Sequence, residues 1–309
     1  MMRKIKLLAL FILLCSVKAI SQNVNLDSML DTQTAHTDSV KTHYAEATFK
    51  STRLIDGHSV ETTQAGVLDL KISHRFGQLN DGFYNMFGLD VASIRIGMDY
   101  GLTNRLTVGG GRSSFEKQYD GFLKYRLLRQ SAGEKNMPVS VTLLGAVMFE
   151  TDTVAVKSEK KISVKPATSD KLSYAYQVLI ARKFSDDFSL QLMPSLIHEN
   201  IVDSSFNKND IFAIGAGARF KLTPRSSLNI EYYYQLPGSQ MPGTYNTFSI
   251  GWEVETAGHV FQLHLSNSTG MTERTVIAEN AGRWSKGDIH FGFNISRVFV
   301  IKKPKDLKM

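Results

Sequence analysis

Residues 247–267 read TFSIGWEVETAGHVFQLHLSN. Phe248, Ile250, Trp252 and Val254 alternate with Thr247, Ser249, Gly251 and Glu253. Beyond the gap Thr256–Gly258, Phe261, Leu263 and Leu265 alternate with a set that includes His264 and Ser266. A period of two puts successive side chains on opposite faces of a strand, so this stretch predicts a hairpin with one apolar and one polar face. The pattern extends in both directions. Leu228, Ile230, Tyr232 and Tyr234 alternate with Asn229, Glu231, Tyr233 and Gln235, and Ile289, Phe291, Phe293 and Ile295 with His290, Gly292, Asn294 and Ser296.

From Gly66 onward the alternation predicts about twelve strands, near 66–76, 91–100, 105–113, 117–128, 138–150, 171–184, 187–199, 209–222, 226–236, 245–255, 259–267 and 287–299. Each has the length a tilted membrane-crossing strand needs. The gaps are short and long in turn. Gly101–Asn104, Ser185–Asp186, Thr223–Arg225 and Thr256–Gly258 are turn-like, whereas Gly77–Asp90, Thr151–Asp170, Asn200–Lys208, Pro237–Thr244 and Ser268–Lys286 are longer. That alternation matches short periplasmic turns and long outer loops. Two gaps break it: Ser114–Glu116 is short where a long one is expected, and Arg129–Met137 the reverse. Tyr100, Tyr119, Tyr174, Phe188, Tyr234 and Trp252 fall near strand ends, as interfacial aromatic belts require. Pro194 sits mid-strand and removes a ladder donor, which predicts a bulge or a misplaced boundary there.

Residues 1–21 carry a basic start (Arg3, Lys4, Lys6), an apolar run from Leu7 to Cys15 and small residues at Ala19 and Ser21, the pattern of a secretory signal peptide cleaved before Gln22. The run is too short for a membrane-spanning helix. Cys15 is the chain's one cysteine, so the exported part is expected to hold no disulfide or thiolate site. The formal charge of +7 is concentrated at the ends: Arg3, Lys4, Lys6 and Lys18 precede the cleavage site, and Lys302, Lys303, Lys305 and Lys308 outnumber Asp306 in the tail. The remainder is near neutral, without the one-faced cationic patch of a nucleic-acid binder. Exported, strand-rich and without a long apolar helix, the chain reads as all-β, a single antiparallel transmembrane β-barrel of the bacterial outer membrane. Its expected parts are a signal peptide (1–21), an N-terminal arm or plug segment (22–64), the barrel (65–300) and a basic periplasmic tail (301–309). Residues 22–43 are polar, with a weak helical patch at Leu26–Leu30. Residues 44–64 look extended and break at Asp56-Gly57, as either a plug in the lumen or a periplasmic hairpin.

His74-Arg75-Phe76-Gly77, Phe87-Gly88-Leu89-Asp90, Asp99-Tyr100-Gly101, Gly111-Arg112-Ser113-Ser114 and the run Phe291–Arg297 together resemble an uncharacterised outer-membrane β-barrel family of Bacteroidota, a domain of unknown function. The resemblance spans about Ala45 to Phe299 and implies the barrel and its location, with no activity to transfer. The last strand also resembles the signal read by the barrel assembly machinery, through His290-Phe291-Gly292 and Ile295, with Arg297 departing from it.

Parity turns Asp69, Lys71, Arg75, Arg95, Asp99, Asp120, Lys124, Arg126, Lys183, Glu231, Glu253 and Glu255 inward. A single-sign lining would argue for an ion-selective pore; a balanced one argues for charge pairs filling a lumen of intermediate width. His264 and Ser266 share a face at the spacing seen in outer-membrane phospholipases, and a His can activate a Ser so placed. Here both point inward, away from lipid substrate, so a hydrogen-bonded lumen pair is the plainer reading. Gly109-Gly110-Gly111 lacks the ending of a phosphate loop and reads as close backbone approach. His198-Glu199 has no further ligand at metal spacing. Phe83, Tyr84, Met86 and Phe87 make an apolar loop, either a partner site or an inward constriction. No cofactor is expected. The expected partners are outer-membrane lipid, the assembly machinery and a periplasmic or surface protein. A narrow small-solute passage leads the functional readings, ahead of a closed scaffold and a lipid hydrolase.

Overall fold

In a computed structural model that describes residues 41–151, 167–202 and 208–302, twelve antiparallel strands close into a barrel. They are β1 Val67–Gln78, β2 Ala92–Gly101, β3 Leu106–Ser113, β4 Gln118–Leu128, β5 Ser140–Glu150, β6 Leu172–Lys183, β7 Phe188–Glu199, β8 Asp210–Thr223, β9 Ser226–Gln235, β10 Thr247–Thr256, β11 His259–Ser266 and β12 His290–Val300. Consecutive strands pair all the way round, and β12 closes on β1 in a ladder from Gly292↔Arg75 to Val300↔Val67. Closure leaves no edge strand unpaired, as a backbone in hydrocarbon requires. The signal-peptide, arm (22–40) and tail (303–309) expectations lie outside the described residues.

The short turns are built by hydroxyls. Thr103, Ser185 and Thr223 each accept two backbone N–H groups, those of Arg105 and Leu106, Asp187 and Phe188, and Arg225 and Ser226. At β10–β11 the turn instead relies on Gly258, whose φ of 81° lies in the left-handed region that glycine reaches without strain. The long gap Arg129–Met137 has a structural task. Ser131 and Ala132 pair with Tyr44 and His43, the Ala45 N–H donates to the Gln130 carbonyl at 2.9 Å, and the Arg129 guanidinium lies over the Tyr44 ring. This turn anchors the incoming N-terminal segment at the end of the barrel that carries the short turns. The short outer gap holds only the turn Phe115–Lys117.

Outward positions form an apolar band that includes Leu123, Leu192, Ile214, Trp252 and Leu263, all exposed. Tyr119 and Tyr234 lie exposed near the outer rim, and Phe188 packs with Phe184 and Phe220 at the opposite end. At Pro194 there is neither a bulge nor an early strand end. β7 keeps its register with β6 from Gln177↔Ser195 to Ile180↔Leu192 and skips the pairings between, while Pro194 still pairs with Ile214 of β8.

The inner face is divided. β5 to β8 present Leu144, Met148, Leu179, Met193, Ile197 and Ile211, all buried, whereas β1 to β4 and β9 to β12 present most of the charges. Phe49, Leu54 and Val60 from the segment before β1, and Val276 and Ile277 from the loop between β11 and β12, join those apolar residues in one buried cluster. The lumen therefore holds a packed core rather than a column of water.

Candidate functional site

Residues 48–60 are buried or half-buried inside the barrel, as a plug, with Ala45 and Ala65 tied to turns at its mouth. The plug tip is a tight hairpin: the Leu54 N–H donates to the Gly57 carbonyl at 2.9 Å and the Ser59 N–H to the Thr52 carbonyl at 3.0 Å. Asp56-Gly57 was legible as a break because those residue types favour turns. Gly57 is required for another reason. A Cβ there would stand 1.9 Å from the Tyr233 hydroxyl and 2.5 Å from a Glu231 oxygen.

A buried backbone outside any sheet needs partners for its N–H and C=O groups. Lumen side chains supply them. The Glu231 carboxylate accepts the N–H groups of Ile55, Asp56 and Gly57 at 2.9, 2.9 and 2.8 Å. The Gln191 amide accepts from Val60 at 2.6 Å and donates to the His58 carbonyl at 2.8 Å. Lys124, Thr142, Gln262 and Asn294 donate to the carbonyls of Thr52, Val60, Leu54 and Ile55 at 2.9, 2.8, 2.7 and 2.9 Å. Inward polar residues that read as a solute-facing lining are thus largely engaged by the chain's own plug.

The predicted lumen residues sort by partner. Lys71 pairs with Asp69 and lies 3.4 Å from Asp99. Arg95 grips Asp120 through both Nε and Nη2, and Gly97 and Gly111 leave room for its guanidinium. Arg75 pairs with Asp56 of the plug and donates to the Ser268 and Gly270 carbonyls. Arg126 meets Glu61 at 3.1 Å near the periplasmic mouth. Lys183 stands at the rim beside Asp186, at 2.8 Å. Glu253 accepts from Ser227 and Asn229, both at 3.2 Å, and Glu255 pairs with Lys50. His264 and Ser266 both face inward and are buried, but each serves the Asp56 network: His264 Nε2 is 3.0 Å from Arg75 Nη2, and Ser266 Oγ is 3.2 Å from Asp56 Oδ2 and 2.8 Å from Ser249 Oγ. At the outer rim His198 pairs with Asp210 at 2.7 Å.

The outer mouth is covered by the loop between β11 and β12. Glu273 reaches down to Arg53 and His58 of the plug at 3.2 and 3.1 Å. Arg274 meets Glu150 at 2.9 Å and Glu279 at 2.6 Å. Gln235 donates to the Ile277 carbonyl at 2.7 Å and Thr247 to that of Val276 at 2.5 Å. Burial, with help from the nearby Arg53 charge, pushes His58 down to about 3, so the ring is neutral at physiological pH. Burial opposes ionisation of Glu273, yet Arg53 and His58 outweigh it and hold the carboxyl below its ordinary range. The apolar loop 79–91 does not form the constriction. Phe83 and Tyr84 are 77% and 94% exposed. Its fold is held by strained residues, Met86 and Phe87 at φ 47° and 53°.

Arg53, Asp56, His58, Glu273 and Arg274 were missed in sequence because they lie outside the strands, where period-two parity assigns no face. The polar inward residues Gln191, Gln262 and Asn294 were a usable signal. An amide can satisfy either a backbone N–H or a C=O, and a water-filled lumen has no need of such matching.

Two spaces beside the plug stand out among the described residues. A vestibule of about 400 Å³ opens at the end of the barrel that carries the short turns, lined among others by Phe49, Glu61, Glu255, His259 and Val298. A smaller chamber of about 20 Å³ is lined by Arg53, Lys71, Ser73, Glu253, Gln262 and Asn294. The two share Ser51, Val260 and Ser296.

A sequence profile described as a membrane bound beta barrel domain (DUF5777) matches residues 49–299. No curated protein matches the chain. Among solved structures, the chain is similar to the NanC porin, with 7% identity, 75% of this chain and 98% of that one covered, and a TM-score of 0.45. It is similar to the KdgM porin, with 8% identity, coverage of 75% and 99%, and a TM-score of 0.45. It is also similar to outer membrane phospholipase A from Escherichia coli, with 9% identity, coverage of 77% and 91%, and a TM-score of 0.42.

Proposed function

The chain belongs to the membrane bound beta barrel domain family (DUF5777), and on that premise we propose that it is a non-enzymatic, plug-regulated passage for small solutes across the bacterial outer membrane. A closed even-stranded barrel with an apolar outer band has both chain ends on the periplasmic side, which puts the vestibule there and the covering loop outside. One observation carries the reading: two spaces lie between plug and wall on the charged side of the lumen, a wider one beside Glu61 and Glu255 and a narrow one beside Arg53, with Ser51, Val260 and Ser296 lining both. Residues 267–289 shut the outer end, so a solute crosses when loop and plug part. His264 Nε2 and Ser266 Oγ are committed to Arg75, Asp56 and Ser249, which favours structure over hydrolysis. The motif set from His74-Arg75-Phe76-Gly77 onward assigns the protein to Bacteroidota in this reading.

Planar-bilayer conductance of the wild type and of Glu231→Gln tests it. Small, discrete steps that grow in the variant are expected. Bilayers that stay sealed with both proteins would end the passage reading. They would leave the second, a closed scaffold, favoured by the exposed Phe83 and Tyr84 of the loop 79–91.

A further inference from the structure

The loop between β11 and β12 reaches right across the mouth. Its two stems stand on neighbouring strands, with Ser266 paired to His290. Arg274, near its middle, meets Glu150, the last residue of β5, at 2.9 Å and Glu199, the last of β7, at 3.7 Å. In a closed ring of twelve strands, β5 to β7 lie about half the circumference away from those stems. Arg274 also comes within 3.7 Å of Glu116 in the turn after β3 and pairs with Glu279 of its own loop at 2.6 Å. It opens a single π-helical turn, Arg274–Ala278, a rare form that recurs at functional sites. Other ties run nearer the stems: Gln235 on β9, Thr247 on β10 and Arg75 on β1 hold backbone carbonyls of the loop.

Two adjacent residues of opposite charge thus fasten the loop in different directions, Glu273 down to the plug and Arg274 across to the far wall. Their surroundings differ. The side chains of Glu273, Arg53 and His58 are 3%, 9% and 0% exposed. Those of Arg274, Glu150 and Glu116 are 13%, 18% and 27% exposed, so this cluster borders the outer solution. Salt screens charges that face solvent and affects buried pairs much less. The two fastenings therefore answer to different conditions.

We propose that the loop is a strap hinged at β11 and β12, that Arg274 latches its far end to Glu150 and Glu199, and that raised ionic strength in the outer solution releases the latch. That the strap gates a solute rests on the passage reading; the latch does not. Because Glu273 is the preceding residue, a strap that lifts at Arg274 also draws its neighbour off Arg53 and His58, so the plug loses its outer fastening at the same time.

The test is amide hydrogen exchange of the full chain in neutral detergent micelles, at about 50 mM and about 500 mM sodium chloride, a range over which the screening length shortens markedly. In the wild type, peptides covering residues 270–282 should exchange several-fold faster at high salt, while peptides from β2 and β6 hold their rate. Arg274→Gln should exchange there about ten-fold or more faster at low salt, with no further response to salt. Arg274→Lys, which keeps the charge, should retain the salt response, and so should Glu273→Ala, which leaves the latch in place. A wild-type strap indifferent to salt would overturn the latch. So would Arg274→Gln within ~2-fold of wild type, or a Glu273→Ala strap that no longer responds to salt. Should Arg274→Gln fail to give the folded barrel, Glu150→Gln removes the nearest wall acceptor instead, and an unchanged strap in that variant overturns the latch as well. A salt-responsive strap in bilayers that stay sealed would keep the latch and sink the passage; conductance with a strap indifferent to salt would do the opposite.

Discussion

Glu231→Gln isolates what holds the plug. The substitution preserves shape, so no cavity opens. The wild-type carboxylate accepts three plug N–H groups, at 2.9, 2.9 and 2.8 Å, in a site 1% exposed. A glutamine offers one oxygen. Whichever way its amide is turned, its NH2 faces at least one plug N–H, leaving that donor and the amide itself unsatisfied. An unsatisfied buried donor costs about 1–3 kcal/mol, so the tip should loosen by roughly 2–4 kcal/mol. That is a rise of ~30- to ~1000-fold in the open population of the tip. The strand ladders lose no backbone bond, so the barrel should persist. Amide hydrogen exchange followed by mass spectrometry measures both parts at once. Peptides covering residues 52–60 should exchange faster by that factor, and peptides from β2, β6 and β8 at the wild-type rate. Plug exchange within ~3-fold of wild type, under 1 kcal/mol, would refute the claim that these three bonds fasten the plug. Equal acceleration in plug and strands would show that Glu231 supports the wall instead.

Gly57→Ala should free the tip through its clash with Tyr233 and Glu231; adding Tyr233→Phe removes the hydroxyl 1.9 Å away and should recover part of the lost exchange protection. Acid should also loosen the plug. A released His58 takes up a proton near its ordinary 6.5, whereas the buried ring resists until about 3, so stability is complete above 6.5 and falls as pH drops toward 3. The loss at pH 5 is about 2 kcal/mol, and proteolysis of the plug measured from pH 7 to 5 should rise accordingly. Glu273→Ala removes the contact of the outer loop with Arg53 and His58 and should lengthen open times in bilayers; unchanged gating would show that the loop does not hold the plug. Mass spectrometry of the exported protein should find Gln22 at its N-terminus.

The barrel was legible because a lipid-exposed wall imposes a period of two, and because all but two of the gaps alternate between short and long. Phe261, Leu263 and Leu265 could be assigned to lipid, and His264 and Ser266 inward, from parity alone. Parity says nothing about what an inward side chain meets. Glu231 looked like one charge in a lining, and only the path of residues 54–57 explains why it is an acid. The division of the lumen was hidden for a similar reason. On β7 and β8 both faces carry apolar residues, Met193 and Ile211 inward, Leu192 and Ile214 outward, so alternation there is faint. The exceptional gap Arg129–Met137 was visible as an anomaly, but its cause lay in Tyr44 and Ala45, far back in the chain.

The plug lies ahead of every barrel strand in the chain, yet its ties reach across the whole circumference. Thr52 bonds Asp99 on β2, Val60 bonds Gln191 on β7, Ile55 bonds Glu231 on β9, and the Ile55 carbonyl is held by Asn294 on β12, 239 positions later. A barrel that zipped shut first would have to admit this segment through a mouth already narrowed by its own side chains. The geometry instead suits a growing sheet that curls around a segment waiting at its centre, each new strand adding one more grip, with the β12–β1 seam closing last. The plug is then a mandrel as well as a stopper. Contacts this distant in sequence make for slow folding.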